Sequence, residues 1–288
     1  MKPMPVMHPV ASPLDFVAVG HVTIDRVSGR KRIGGAAAFA SLTAARLGLR
    51  SGILTSAAPT FPYWDSLDGV EIHCQPAART TEFENVYEGS RRRQRVLAQA
   101  DALTEANLAS IRKRLADDAA VLYCPVVHEV QLPLAPLAPR GLSGVAPQGF
   151  FRRWKPHGLV ESCDWEDAST ALARADVVSM SEDDHLAPEE LAEEFPGRAF
   201  AVTKGAKGAR IYSEGDIFDL PAFTAVEVDP TGAGDVFAAA FLVALRERRA
   251  VPVAARFAAC VASFAVEATG IEGIPTRKAV EARLEAIP

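Results

Sequence analysis

Cysteine is scarce and unclustered: the 288 residues hold four, Cys74, Cys124, Cys163 and Cys260, with no C-x-x-C pair and no histidine cluster beside them. That spacing excludes a disulfide framework and a zinc site of the usual kind, and it points to reduced thiols in a cytoplasmic protein. An excess of positive charge is missing too. Against 31 Lys and Arg stand 36 Asp and Glu, a formal net charge of −5, so the electrostatic footprint of a nucleic-acid binder is absent. Residues 1–14 contain no continuous apolar run, are rich in proline and carry a single lysine. They resemble neither a signal peptide nor a membrane anchor, and a flexible extension is expected there. There is no internal repeat and no low-complexity linker, and the Pro-rich stretch 133–147 reads as an ordinary loop.

What is present is apolar residue, 49% of the chain, enough to build one large α/β domain over 15–288. Residues 15–20, DFVAVG, form a short apolar run closed by glycine, the pattern of a buried parallel strand. Residues 35–48, GAAAFASLTAARLG, have helical spacing and a terminal glycine stop. Further strands are expected at 51–55, 119–124, 176–180 and 199–203, with helical or charged stretches between several of them, which predicts a parallel sheet covered by helices. In residues 80–96 β-formers alternate with polar residues around a turn at Glu88, Gly89 and Ser90. An exposed hairpin, usable as a flap over a site, is expected.

The chemistry concentrates in residues 226–245, VEVDPTGAGDVFAAAFLVAL, where an extended piece meets a glycine-rich turn and then an Ala-rich helix. Small residues at Gly232, Ala233 and Gly234 let backbone N–H groups approach an anion, and the helix start adds partial positive charge. Asp235 falls in the first helical turn, where a carboxylate is ionised and able to take a proton from an attacking hydroxyl. On local sequence alone it reads equally well as a helix-start residue.

DPTGAGD at 229–235 resembles the D-T-x-G-A-G-D signature of the phosphofructokinase-B, or ribokinase-like, carbohydrate kinase family, with Pro230 where the family usually has threonine. The resemblance implies a three-layer αβα fold with a mostly parallel central sheet and a small β lid, built from elements near 22–34 and 78–97. It makes Asp235 the catalytic base and Gly232, Ala233 and Gly234 the anion hole, with Thr231 beside the donor. Gly34 and Gly35 before an Ala-rich helix look like the family's N-terminal substrate motif, whose asparagine is here Phe39. Asp25 corresponds to the acid that binds acceptor hydroxyls, the alternative being a solvated loop carboxylate. Only nine positions separate Asp25 from Gly34, so the lid is expected to be reduced and the interlocked lid dimer of ribokinase absent, leaving a monomer or another dimer.

On the donor side, the segment from Thr203 to Gly208 resembles the family's T-x-G-x-x-G stretch, placing Thr203, Gly205 and Gly208 beside ATP, although a plain hairpin turn fits the same residues. Ser181 and Asp184 stand in for the family's N-x-x-E motif, with Asp184 meeting Mg²⁺ through water and Ser181 near ATP; Ser181 equally suits a helix cap. Phe83 and Asn85 on the flap are acceptor contacts by the same resemblance. Residues 258–270 look like the helix and turn bordering the adenine pocket, and residues 148–154 resemble an inositol-kinase-like branch. The basic runs at 30–32, 91–93 and 152–153 read as solvated faces, the alternative for 91–93 being a contact to phosphates. The implied activity is ATP- and Mg²⁺-dependent phosphorylation of a small sugar or cyclitol, with a monovalent cation as a further cofactor of the family. The rivals are a nucleoside or ADP-dependent kinase of the same fold, and a non-catalytic nucleotide- or sugar-sensing pseudokinase.

Overall fold

The computed structural model describes residues 12–88, 91–195 and 197–286. Residues 1–11 of the expected extension and Gly89 and Ser90 of the expected hairpin turn lie outside them, as do the side chains of Arg91 and Arg92.

The large sheet is made of β1 (Leu14–Val19), β4 (Ser51–Ala57), β5 (Val70–Pro76), β8 (Leu115–Tyr123), β9 (Leu142–Val145), β12 (Val177–Ser181), β13 (Ala199–Thr203), β14 (Ala209–Ser213) and β15 (Asp216–Leu220). Their order is β15-β14-β13-β12-β9-β8-β1-β4-β5. All neighbours pair in parallel except β13-β14 and β14-β15, which close one edge as an antiparallel meander.

Alternation along the central strands creates two cores. Phe16 and Ala18 of β1 and Ala120 and Leu122 of β8 point to one face, and Val17, Val19, Val121 and Tyr123 to the other. The first face is covered by α1 (Ala36–Arg46), α5 (Ala233–Arg246), α6 (Val251–Ala265) and α7 (Arg277–Ala286). The second is covered by α2 (Glu105–Arg112), α3 (Ala168–Leu172) and α4 (Pro188–Glu194). This is the expected αβα sandwich, and it follows from strands that are apolar on both sides. Helix α5 is buried along its whole length from Val236 to Leu245, because it lies between the sheet and two other helices.

A second sheet stands apart from the first. It joins β2 (Thr23–Val27), β3 (Arg30–Gly34), β6 (Thr81–Glu88) and β7 (Arg91–Ala98) in the order β3-β2-β6-β7. The lid is therefore short in its first hairpin yet complete, since β2 pairs in parallel with β6 of the second. A small antiparallel pair, β10 (Arg152–Trp154) and β11 (Val160–Ser162), touches it through a bridge between Leu159 and Arg95.

Two expectations require correction. The stretch 133–147 is not all loop: Leu142–Val145 is β9, an interior strand between β8 and β12. Its four residues carry little strand signal, and Gly144 is there for approach, since a β-carbon on it would lie 2.9 Å from Leu242 Cδ2 of α5. Ser181 caps no helix, because it ends β12 and the next helix begins at Pro188, with Ala187 preceding it.

Candidate active site

The signature turn has the conformation its glycines permit. Gly232 is left-handed, with φ 82° and ψ −3°, and Ala233 opens α5 directly after it. The Val236 amide donates to the Gly232 carbonyl at 2.9 Å and the Ala233 amide to the Pro230 carbonyl at 3.2 Å, so the turn is closed before the helix starts. Gly234 is exposed, and a β-carbon there would meet nothing within 4 Å, which leaves room for an anion at the helix start. Asp235 follows, half-buried, in the first turn. Its charge is felt at the end of β8: burial first, then Asp235 and Glu129, push the thiol of Cys124 well above its ordinary range. Glu129 is fully buried, and its carboxylate accepts amide hydrogen bonds from His21, Val126 and Val127, which fixes the loops at the ends of β1 and β8.

The lid supplies a second acid. Asp25 is only 8% exposed, and the Thr23 hydroxyl donates to its Oδ1 at 2.7 Å. A β-carbon on Gly34 would fall 2.5 Å from Asp25 Cγ, so the glycine is what lets this carboxylate lie against the neighbouring strand. Asp25 is thus a buried strand residue and not a solvated loop carboxylate. Its direct neighbours in register are Arg32 on β3 and Phe83 on β6. One pair further along the lid, Gln94 Nε2 donates to Asn85 Oδ1 at 2.9 Å, and Gln94 Oε1 is buried with no hydrogen-bond partner among the described residues. Where the lid strands leave the main sheet, the buried His21 ring bonds the Asp101 carbonyl through Nε2 and the Thr81 hydroxyl through Nδ1. A carbonyl only accepts, so the proton is on Nε2 and Thr81 donates to Nδ1.

The donor side assembles from three loops. After β12, the Ser181 amide donates to Asp184 Oδ2 and Gln148 Nε2 donates to Asp184 Oδ1, each at 2.8 Å. Each oxygen keeps a further acceptor position, which suits a water-mediated contact to Mg²⁺. Among the described residues no group of three or more His, Cys, Asp or Glu could hold a metal ion. After β13, Gly205 and Gly208 have φ of 55° and 95°, and Gly208 packs against residues 220–222, where a β-carbon would lie 2.8 Å from the Ala222 amide nitrogen. The chain makes a hairpin here, as the alternative reading had it, since β13 and β14 are antiparallel, and Thr203 ends its first strand. The chain then runs past Val226 and Val228, which are 78% and 60% exposed, and the Val228 amide donates to the Val266 carbonyl just beyond α6.

Lid and signature turn meet at Arg32. Its Nη1 bonds Asp229 Oδ2 at 2.5 Å and its Nη2 bonds Thr231 Oγ1 at 3.1 Å. The Thr231 and Gly270 amides also donate to Asp229, at 3.0 and 3.2 Å. Burial pushes the Asp229 carboxyl up, but the hydrogen bonds from Thr231 and Arg32 outweigh it and hold the group below the usual carboxylate range. Arg32 therefore does not belong to a solvated face, contrary to the expectation for residues 30–32.

The turn brings Thr231, Gly232, Ala233, Gly234 and Asp235 together, and the lid gathers Asp25, Gly34, Phe83 and Asn85. Gly35, with φ 93°, caps α1 and lies against the chain at 21–23. Phe39 and Phe83 are 2% and 3% exposed and belong to the core under the site. Sequence reasoning missed Arg32, Gln94 and Thr23. Thr23 shares a strand face with Asp25 by the period of two, whereas nothing local marks Arg32, whose partners are almost two hundred positions away.

An αβα sandwich with a β lid, and an acid one turn into a helix behind a left-handed glycine, define the ribokinase fold. Residues 167–277 match the model of the pfkB family carbohydrate kinases. Ribokinase of Bacillus subtilis (strain 168) is 42% identical over 88 residues, 30% of this chain and 30% of that protein. Inositol 3-kinase of Arabidopsis thaliana is 46% identical over 69 residues, 24% of this chain and 20% of that protein. The chain thus spans between 20% and 42% of the length of the curated relatives it matches. Among solved structures, a pyrophosphate-dependent kinase of the ribokinase family, complexed with a pyrophosphate analog and myo-inositol, superposes with a TM-score of 0.75 at 24% identity, covering 94% of this chain and 100% of that one.

Proposed function

We propose that this protein is a kinase that transfers the γ-phosphoryl group of MgATP to a hydroxyl of a neutral sugar or cyclitol, inositol being the model acceptor. The observation that carries this reading is Asp235 in the first turn of α5, directly behind left-handed Gly232, which sets a base and an anion hole on one turn. Asp235 takes the hydroxyl proton as the oxygen attacks the γ-phosphorus. Amides of the 232–234 turn face the equatorial oxygens as charge spreads over them. Asp25 accepts from neighbouring acceptor hydroxyls, and Asn85 contributes an amide from the lid. Thr203, Gly205, Gly208 and Thr231 flank the phosphates and ribose, with Ser181 and Asp184 organising Mg²⁺ through water.

A nucleotide is favoured as donor because Val226 and Val228, a few residues beyond the segment 220–222 on which Gly208 packs, are exposed. They offer apolar surface to a base, and pyrophosphate would leave them in water. Neutral acceptors are favoured because Arg32, the register neighbour of Asp25 on β3, is committed to Asp229. Four free thiols among the described residues support a cytoplasmic location. No described helix is long and apolar enough to cross a membrane. We include in the proposal a single kinase domain over 15–288 and a monomer, or a dimer that does not interlock its lids, because the interval from Asp25 to Gly34 is short.

The test is a phosphoryl-transfer screen of polyols, pentoses, hexoses and nucleosides with ATP, ADP or pyrophosphate as donor. Turnover of a cyclitol or sugar with ATP is expected. Turnover of nucleosides alone, strict use of pyrophosphate, or binding without turnover would each overturn part of the reading and name its replacement.

A further inference from the structure

The contact between Arg32 and the signature turn has a physical consequence for how the two substrates communicate. Arg32 lies on lid strand β3, opposite Asp25 in register. Asp229 and Thr231 precede the anion-hole glycines at the far end of the chain. The guanidinium engages both with separate nitrogens, and the side chains of Arg32 and Asp229 are only 22% and 14% exposed. Two-pronged, partly desolvated pairs of this kind hold geometry as well as charge, unlike an exposed pair on flexible stems. The carboxylate in turn collects the Thr231 and Gly270 amides, so the loop on each side of it is organised around one charge. The third guanidinium donor, Nε–H, is enclosed with no acceptor among the described residues.

We propose that Arg32 is a positioning residue that couples the lid to the anion hole: with β3 seated over the acceptor site, the guanidinium holds Asp229 and Thr231 and fixes the turn that presents Gly232 to Gly234 to the donor. The inference rests on the kinase reading for its functional consequence. By linkage, an acceptor that holds the lid down then tightens donor binding, and the donor tightens acceptor binding by the same factor. A lysine at this position keeps the charge but loses the fork, so it restores the coupling only in part.

Two measurements on the full chain test this. In ligand-free protein, hydrogen exchange is followed at the Thr231 and Gly270 amides and across strands β2 and β3. In Arg32→Met both regions should lose protection together while β12 and β13 stay unchanged, and Arg32→Lys should fall between. Unchanged exchange at Thr231 and Gly270 in Arg32→Met would overturn the proposal, and if that variant does not fold, the same outcome in Arg32→Lys overturns it. Binding of β,γ-imido-ATP is then titrated with and without saturating myo-inositol. Wild type should show coupling of about 5-fold or more, and Arg32→Met should show the two affinities independent within about 2-fold; equal coupling in both proteins also refutes the clasp. A wild-type protein that binds neither probe counts against the kinase reading, while the exchange comparison still decides the role of Arg32.

Discussion

Gly232 lies against the ring of Phe39: a β-carbon on this glycine would enter the contact shell of Phe39 Cδ1 and Cε1 and sit 2.7 Å from Cζ. At position 39, where the resemblance leads one to expect asparagine, helix α1 places a buried ring against the turn. Two constraints then act on one residue, a left-handed φ and a missing volume. Gly232→Ala should cost about 1–2 kcal/mol in backbone strain alone and more through the ring, with turnover falling further than melting temperature. Shortening the ring in the same protein, as Phe39→Leu, should recover part of the packing loss and none of the strain. A double-mutant cycle on kcat and thermal stability measures both, and strict additivity would deny the contact any role.

Asp235→Asn keeps the side-chain shape and removes the proposed base. Turnover should fall about 10²- to 10⁴-fold, and donor affinity should change little, because the anion hole is made of backbone. Steady-state kinetics with a parallel nucleotide titration checks this; wild-type kcat in the variant would assign the proton elsewhere.

Asp25→Ala should raise acceptor KM about 10- to 100-fold, the worth of hydrogen bonds to a charged group, with donor KM nearly unchanged. Gly34→Ala should imitate it, since the new methyl occupies the place of the Asp25 carboxylate. Thr23→Val should shift acceptor KM in the same direction by less. Equal effects on both substrates would mean that the lid acid is structural.

The depressed Asp229 carboxyl makes a pH prediction. Its folded value lies below the ordinary 3.8, so the stability it contributes is fully present above the unfolded carboxylate range and is lost as pH falls through the folded value. Asp229→Asn should therefore be less stable than wild type near neutrality, by about 1.5–3 kcal/mol for hydrogen bonds to a charged group, and the gap should narrow below about pH 4. Thermal melts of both proteins between pH 7 and 3 measure the gap, and one that stayed constant with pH would remove the carboxylate charge from the account.

Residue order alone determined the apolar strands, the glycine stop of α1, and the small-residue turn before Asp235, because each is a local pattern of side-chain period or backbone freedom. The hairpin of residues 80–96 was legible for the same reason. Position 144 was not, since a short strand containing serine and glycine is stabilised by what packs over it, here Leu242. Gly34 was legible as a glycine next to a helix, but its reason, the Asp25 carboxylate lying over it, depends on the register of β2 against β3. Arg32 is the furthest from local logic. Three charged residues in a row on a β-hairpin read as solvated, and only the tertiary structure, by bringing β3 over the turn before α5, turns the third of them into the partner of Asp229. Local sequence encodes which backbone shapes are allowed; which charge meets which depends on how distant segments pack, because an ion pair has no sequence period.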